Sequence, residues 1–296
     1  MNYSERITES GLTIFLFHGV VKKSDYKVRN YTKKHLLEND FYNVLKDLKK
    51  SGNAVSIDDI VNASFPERAF AVSFDDGFEN NYSVAAPILK DLGIPSVFYL
   101  TTGFIENNHM SWIDRIEYLF ENVNSGKVKL SWESESYSFS DTKDKIKLLD
   151  YLRDCVKKDK SVDVDELVND ISSQLNIEAV EKSNDPLDLK MNWYQAKELA
   201  SDSNFIIGGH SHRHLNLAFL SKDELEKEIK TSIELIKDRT GISLLHYSYP
   251  EGLDYCYSDE VIDVLKKYGI KCSPTAIDGV NKVGDDLFHL KRVAVV

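Results

Sequence analysis

Short apolar runs and longer amphipathic segments alternate along most of the chain. The runs have the length of buried strands, and the longer segments repeat apolar residues every three or four positions, as helices do. The predicted strands are Leu12–Phe17, 70–74, 96–101, Phe205–Gly209 and 244–249. The predicted helices are 33–50, 80–92, Lys222–Thr240 and 260–268. This order predicts parallel strands joined by helices.

Glycines mark the ends of the predicted helices. Gly52, Gly93, Gly241 and Gly269 each follow the last apolar position of one of them, and glycine ends a helix most easily because it accepts a left-handed backbone. A length of 296 residues is usual for one α/β barrel. We therefore expect a barrel-like α/β fold, with candidate catalytic groups at the carboxyl ends of its strands.

A charged and polar stretch interrupts this alternation between about residues 106 and 190. Within it, 131–139 alternates like a small two-stranded element, and Thr142–Lys158 and 163–175 have helical spacing. The predicted organisation is a barrel formed by 1–105 and 191–296, with a mainly helical insertion at 106–190.

The sequence leaves open whether this insertion is a solvated decoration or a cap over the site. Trp112 is the insertion residue that we expect to approach a bound substrate. It follows soon after the strand that ends at residue 101, and the indole face is suited to stacking on a sugar ring.

Two separated clusters of polar residues supply the parts of one metal site. The apolar run at 70–74 stops at Asp75-Asp76-Gly77, and His210 and His214 follow another predicted strand. Histidines four residues apart can point at one ion, and Asp76 would add a third ligand and leave a position for water. Taken alone, the aspartates could form a turn and the histidines an exposed pair.

Asp75 is left outside this ligand set and is predicted to act as a general base. Adjacent residues of a regular strand face opposite sides, so both aspartates reach one site only if Gly77 breaks the strand. Two other site types are excluded by inspection. The aspartates are adjacent rather than in an Asp-x-Asp nucleophile motif, and Ser211 stands where a His-Glu-x-x-His protease needs glutamate.

Composition narrows the range of partners. The net charge is −11 and the sequence pI is near 5.3, which disfavours nucleic acid and anionic membrane surfaces. The three cysteines lack metal-site spacing and are predicted to be reduced thiols. The amino-terminal segment lacks the pattern of a signal peptide, and no apolar run approaches the ~20 residues of a membrane span. We therefore expect a cytoplasmic protein without a membrane span.

Five stretches of the sequence resemble the polysaccharide deacetylase family, which shares the NodB-homology domain and forms carbohydrate esterase family 4. The stretch 73–77 resembles the Thr-Phe-Asp-Asp-Gly motif, and 209–217 resembles the His-[Ser/Thr]-x-x-His-x-x-Leu motif. The stretch 249–252 resembles the Tyr-Pro-Tyr-Gly turn, with Glu251 where an aromatic residue is usual. The first strand with His18, and Leu290 to Val293, resemble the opening and closing motifs of members with a permuted motif order.

The resemblance implies a distorted (β/α)7 barrel that hydrolyses the N-acetyl group of an amino sugar with a divalent metal. Zinc suits two histidines and one aspartate best, although cobalt, nickel, manganese or iron would also bind. A backbone N–H near Tyr249 and Pro250 would stabilise the oxyanion, and Arg292 would orient Asp75. The general acid would be His18, with His289 as the competing candidate.

Two alternative functions stay open at this point. The chain could hydrolyse an amide that is not a carbohydrate, or it could bind carbohydrate without turnover. The intact aspartates and histidines of the site favour catalysis over binding alone.

Overall fold

The computed structural model describes residues 2–296, which form ten strands and ten α-helices. The strands are β1 Leu12–Phe17, β2 Gly19–Val21, β3 His35–Leu37, β4 Asn53–Ala54, β5 Ala69–Phe74, β6 Ser96–Leu100, β7 Gly126–Lys129, β8 Ser136–Phe139, β9 Phe205–Gly209 and β10 Arg292–Ala294. The helices are α1 Glu38–Ser51, α2 Ile57–Val61, α3 Ala86–Leu92, α4 Thr102–Asn107, α5 Trp112–Glu121, α6 Thr142–Lys158, α7 Val164–Leu175, α8 Trp193–Ser201, α9 Lys222–Thr240 and α10 Asp259–Lys267.

The main sheet closes into a barrel of parallel strands. Strands β10, β1, β5, β6 and β9 are neighbours in that order, and every pair is parallel. Short parallel bridges then continue the ring through Gly209 to Tyr247, His246 to Cys272, and Pro274 to Leu290. Residue 290 leads directly into β10, so seven strand positions complete the circle. The protein is a distorted (β/α)7 barrel, which confirms the predicted fold.

Helix α2 packs across the amino-terminal end of the barrel. Ile57 and Ile60 of α2 pack against Leu12 and Ala69, the first residues of β1 and β5. The outer faces of the strands carry aromatic residues instead, and the Phe74 ring stacks on a neighbouring strand's ring with centroids 5.0 Å apart. In barrels of this kind, side chains at the carboxyl ends of the strands are the ones that meet a substrate.

A second apolar cluster lies outside the barrel. It is formed by α5, the β7–β8 hairpin, α6 and α7, and it includes Phe120, Leu149 and Ile171. Val28, from the segment between β2 and β3, is buried in the same cluster. The Glu121 carboxylate accepts hydrogen bonds from three successive backbone N–H groups of that segment. These elements therefore hold the segment 22–34 in place.

Most predicted elements are confirmed, and the differences have local causes. The helix expected at 33–50 begins only at Glu38, because His35–Leu37 pairs with β2. The strand expected at 244–249 is reduced to bridging residues, and the hairpin lies at 126–139. Helix α5 was not expected. None of the helices in residues 2–296 is both long and apolar enough to cross a membrane.

Candidate metal and catalytic site

The predicted site residues follow the carboxyl ends of neighbouring barrel strands. Asp75 and Asp76 come directly after β5, and His210 comes directly after β9. The backbone leaves the strand conformation abruptly, with positive φ at Asp76 (75°), Ser211 (65°) and His214 (58°). Such angles are rare outside glycine and are concentrated at functional sites. Here they turn side chains from two strands toward a common point.

Asp76, His210 and His214 form a cluster suited to a divalent cation. One ligand atom from each lies within 4.8 Å of the others. Asp76 Oδ1 is 3.3 Å from His214 Nε2 and 3.7 Å from His210 Nε2, and within the described residues it is buried with no hydrogen-bond partner. A buried carboxylate oxygen costs free energy unless something binds it. This set of donors therefore fits a metal ion with three protein ligands.

The second nitrogen of His210 is fixed by the neighbouring strand position. His210 Nδ1 lies 3.0 Å from the Ser248 carbonyl oxygen and 2.6 Å from Ser248 Oγ. Such a partner fixes the ring orientation and directs Nε2 to the cation. Burial lowers the pKa of His210, so the ring is neutral at pH 7, as a ligand must be. His214 stacks on the Phe104 ring, with centroids 5.9 Å apart.

Asp75 forms a buried, bidentate ion pair with Arg292. Both Asp75 oxygens accept hydrogen bonds of 2.8 Å, one from each terminal nitrogen of Arg292. The Arg292 side chain is fully buried, and its Nε donates to the Thr275 carbonyl. Burial alone would raise the pKa of Asp75, but Arg292 outweighs it and holds the pKa below its usual value. Asp75 is therefore ionised and can accept a proton.

The two candidate general acids lie in different surroundings. His18 follows β1 directly and is partly buried, and Asp76, Lys34, Asp75 and Arg292 are the charged groups that act on it. Burial lowers the pKa of His18 to about 4, against the opposing effect of Asp76. In contrast, His289 is 46% exposed and lies 3.2 Å from Asp286. Of the two, only His18 lies among the charged groups of the site.

The turn at 249–252 lies beside the metal ligands. Tyr249 is buried, and its hydroxyl donates a 3.1 Å hydrogen bond to the Phe288 carbonyl, so that it is engaged in the core. Pro250 is also buried. Glu251 has a positive φ of 60° and forms an ion pair with Lys157 of α6. The Glu251 side chain, paired with α6, thus stands where the family usually has an aromatic residue.

Trp112 does not extend into the metal cluster. It is the first residue of α5 and packs partly buried against the second apolar cluster. Two residues later, Asp114 points toward the site instead, where its Oδ2 lies 3.7 Å from Lys34 Nζ.

Lys34 is the main site residue that the sequence did not single out. Its Nζ lies 3.0 Å from Asp76 Oδ2, on the other oxygen from the one that faces the histidines. Burial would lower the pKa of Lys34, but Asp114 and Asp76 outweigh it and raise the pKa. The available signal was the lysine pair at 33–34, which we placed inside a predicted helix.

Solved structures with this fold cover almost the whole chain. The deacetylase PplD of Streptococcus pyogenes, solved in complex with acetate, is 15% identical, with 98% of this chain and 94% of that chain covered and a TM-score of 0.61. IcaB from Ammonifex degensii is 17% identical, with 98% of this chain and 93% of that chain covered and a TM-score of 0.61. A de-N-acetylase from Aggregatibacter actinomycetemcomitans is 18% identical, with 95% of this chain and 94% of that chain covered and a TM-score of 0.58. At these identities the likeness defines the fold.

The family follows from the sequence comparison. The model of the family described as polysaccharide deacetylase matches residues 62–158 and 159–273, well over half of the chain. The protein belongs to the polysaccharide deacetylase family. A search of curated protein sequences gave no significant match.

Proposed function

We propose that this protein is a metal-dependent N-deacetylase that hydrolyses the N-acetyl group of an amino sugar. The observation that carries the proposal is the juxtaposition of two units. Three ligand atoms from Asp76, His210 and His214 converge on one point, and the ionised Asp75 is held beside them by Arg292. Membership of the polysaccharide deacetylase family supports the reaction type.

Asp76, His210 and His214 would hold the cation. When bound, the cation would make water a better nucleophile and polarise the acyl oxygen. Zinc suits this ligand set best, and cobalt, nickel, manganese or iron are alternatives.

Asp75 is the proposed general base. It would take a proton from the attacking water while the new C–O bond forms at the acyl carbon. Arg292 keeps Asp75 ionised and fixed in direction through its two hydrogen bonds. The bidentate contact leaves no room for Asp75 to rotate away.

His18 is the proposed general acid, since an amine leaves readily only after it gains a proton. Negative charge that develops on the substrate beside His18 would raise its affinity for a proton above that of the resting site. His18 would take up a proton from solvent as this charge develops and pass it to the nitrogen while the C–N bond breaks, which gives acetate and a free amine.

The Tyr249 backbone N–H is the proposed donor to the developing oxyanion. Within residues 2–296 it donates no hydrogen bond to another protein group, and backbone donors of this kind stabilise such charge strongly. Pro250, which has no N–H, follows it and restricts the turn.

The insertion at 106–190 is proposed to act as a cap on the barrel. Two of its residues contact residues at the site: Asp114 lies beside Lys34, and Lys157 pairs with Glu251. The acidic surface favours a neutral or cationic glycan or glycan precursor, and we propose a cytoplasmic location. Trp112 remains the insertion residue that we propose to approach a bound substrate.

Metal analysis combined with acetate release tests the proposal. The purified protein is loaded with zinc, cobalt, nickel, manganese or iron, and acetate is measured on N-acetylated sugars that are free, nucleotide-linked or polymeric. We expect about one metal ion per chain and acetate release on at least one sugar. Release only from N-acetylated compounds without a sugar would favour the amide-hydrolase alternative, and metal binding without turnover would favour a binding protein.

A further inference from the structure

Lys34 reaches the metal cluster from outside the main barrel strands. It precedes β3, and β3 pairs in register with β2, where His35 lies opposite Gly19, the residue after His18. The Lys34 side chain is 17% exposed, and its Nζ lies between Asp76 Oδ2 and Asp114 Oδ2. The ammonium group is therefore part of the site wall, where a bound cation would feel its charge.

Each of the two site aspartates pairs with its own cation. Asp75 pairs with Arg292, and Asp76 pairs with Lys34. Arg292 takes both oxygens of its partner, whereas Lys34 takes only Oδ2 of Asp76 and leaves Oδ1 beside the two histidines. One carboxylate oxygen of Asp76 therefore contacts Lys34, and the other is left for a metal ion.

We infer that Lys34 acts on the bound metal through Asp76, whose carboxylate it shares, so that the metal binds less tightly but stays more electron-poor. This inference rests on the proposed function. The outer partner of a histidine ligand accepts a hydrogen bond and makes that ligand a better donor, whereas the partner of a carboxylate ligand donates to it. Lys34 is such a donor to Asp76, and because it carries a full positive charge it withdraws charge from the ligand.

Orientation alone does not require Lys34. Asp76 is 4% exposed, and its position is fixed by the backbone turn at the end of β5, where φ is 75°. The positive charge therefore remains as the distinctive contribution of Lys34. Removal of this charge would remove the repulsion between the Lys34 ammonium group and the bound cation. Such repulsion is large when the two charges are close and the surroundings have a low dielectric constant.

The second apolar cluster keeps Lys34 in this position. Asp114 belongs to α5, and Oδ2 of Asp114 is buried without a hydrogen-bond partner within the described residues. Glu117 and Glu121 of the same helix accept backbone N–H groups of the segment 22–34. The insertion therefore sets the charge beside the metal ligand, which is a more direct role than covering the site.

Zinc affinity of variants is the main test of the inference, and kcat is a second measurement. Zinc binding is measured by competition with a chromophoric chelator for the intact chain and for Lys34→Met, Asp114→Asn and Lys33→Met. Lys34→Met should bind zinc at least about tenfold more tightly, which corresponds to about 1.4 kcal/mol, with a lower kcat. Asp114→Asn should bind it more weakly, because a nearby negative charge is lost. Lys33 is exposed, so Lys33→Met should match the intact chain.

The signs of these changes decide between outcomes. Unchanged or weaker zinc binding by a folded Lys34→Met would overturn the inference while the proposed function stands. If Lys34→Met does not fold, Asp114→Asn decides, because unchanged or tighter zinc binding by that variant contradicts the charge argument. An intact protein that binds no metal would overturn the inference and the proposed function together.

Discussion

Replacing Arg292 with methionine should leave a folded but less stable protein. The change removes both 2.8 Å hydrogen bonds to Asp75 and leaves that carboxylate, 3% exposed, without its counterion. Breaking a buried ion pair from one side costs about 3–5 kcal/mol. With about 2.1 cal/mol/K of unfolding entropy per residue, a chain of this length loses roughly 0.6 kcal/mol of stability per degree. We therefore expect a fall in Tm of about 5–8 °C.

The same substitution should change the pH dependence of stability. In the intact protein the pKa of Asp75 is below its unfolded value, because Arg292 outweighs burial. Asp75 therefore stabilises the fold above the unfolded pKa of about 4, and this contribution is lost as pH falls through the folded pKa. Without Arg292, burial raises the folded pKa above the unfolded one. The stability deficit of Arg292→Met should be largest near neutral pH and should shrink toward acid pH.

The acid limb of the pH profile of activity should move to higher pH, because the pKa of Asp75 is raised. A general base with a raised pKa stays protonated up to a higher pH. As pH is lowered, kcat/KM of Arg292→Met should therefore begin to fall at a higher pH than kcat/KM of the intact protein. Thermal unfolding at several pH values and a pH series of kcat/KM measure the two effects separately.

Arg6 supplies a matched control. It also donates two hydrogen bonds to one carboxylate, from Nη2 to both oxygens of Asp278, but these side chains are 31% and 68% exposed. Exposed pairs contribute at most about 1 kcal/mol, so Arg6→Met should unfold within about 2 °C of the intact protein. Equal losses for Arg6→Met and Arg292→Met, or a deficit for Arg292→Met that does not vary with pH, would refute the reasoning.

Three further predictions concern the site and the barrel. His210→Ala should lose the metal, whereas Asp75→Asn should keep it and lose turnover; elemental analysis that finds full metal in His210→Ala would contradict this division of roles. His18→Ala should lower kcat by ~10²–10⁴ with metal content unchanged, whereas His289→Ala should stay near normal, and the reverse result would identify His289 as the acid. Gly208→Ala should lower Tm by about 2–5 °C, because the new Cβ would lie 2.3 Å from a buried tyrosine ring carbon on β6; calorimetry without such a fall would mean that the barrel wall yields at this point.

The sequence predicted the barrel class and the motif residues because both depend on local patterns. Buried parallel strands appear as short apolar runs, and polar residues directly after those runs must gather at one edge of the sheet. Asp76 and His210 each follow a strand whose predicted position agrees with the structure. The strand at 244–249 was less well predicted, because irregular bridges at the distorted part of the barrel depend on neighbours distant in sequence.

The sequence alone determined the residue types of the site and their order along the chain, whereas the pairing of charges depended on tertiary structure. Lys34 is one of 37 basic residues, and nothing local distinguishes it. Its contact with Asp76 depends on β3 pairing with β2 and on α5 holding the segment before it. Charges interact through space over a few ångströms, so their partners are fixed only when the barrel closes and the insertion packs.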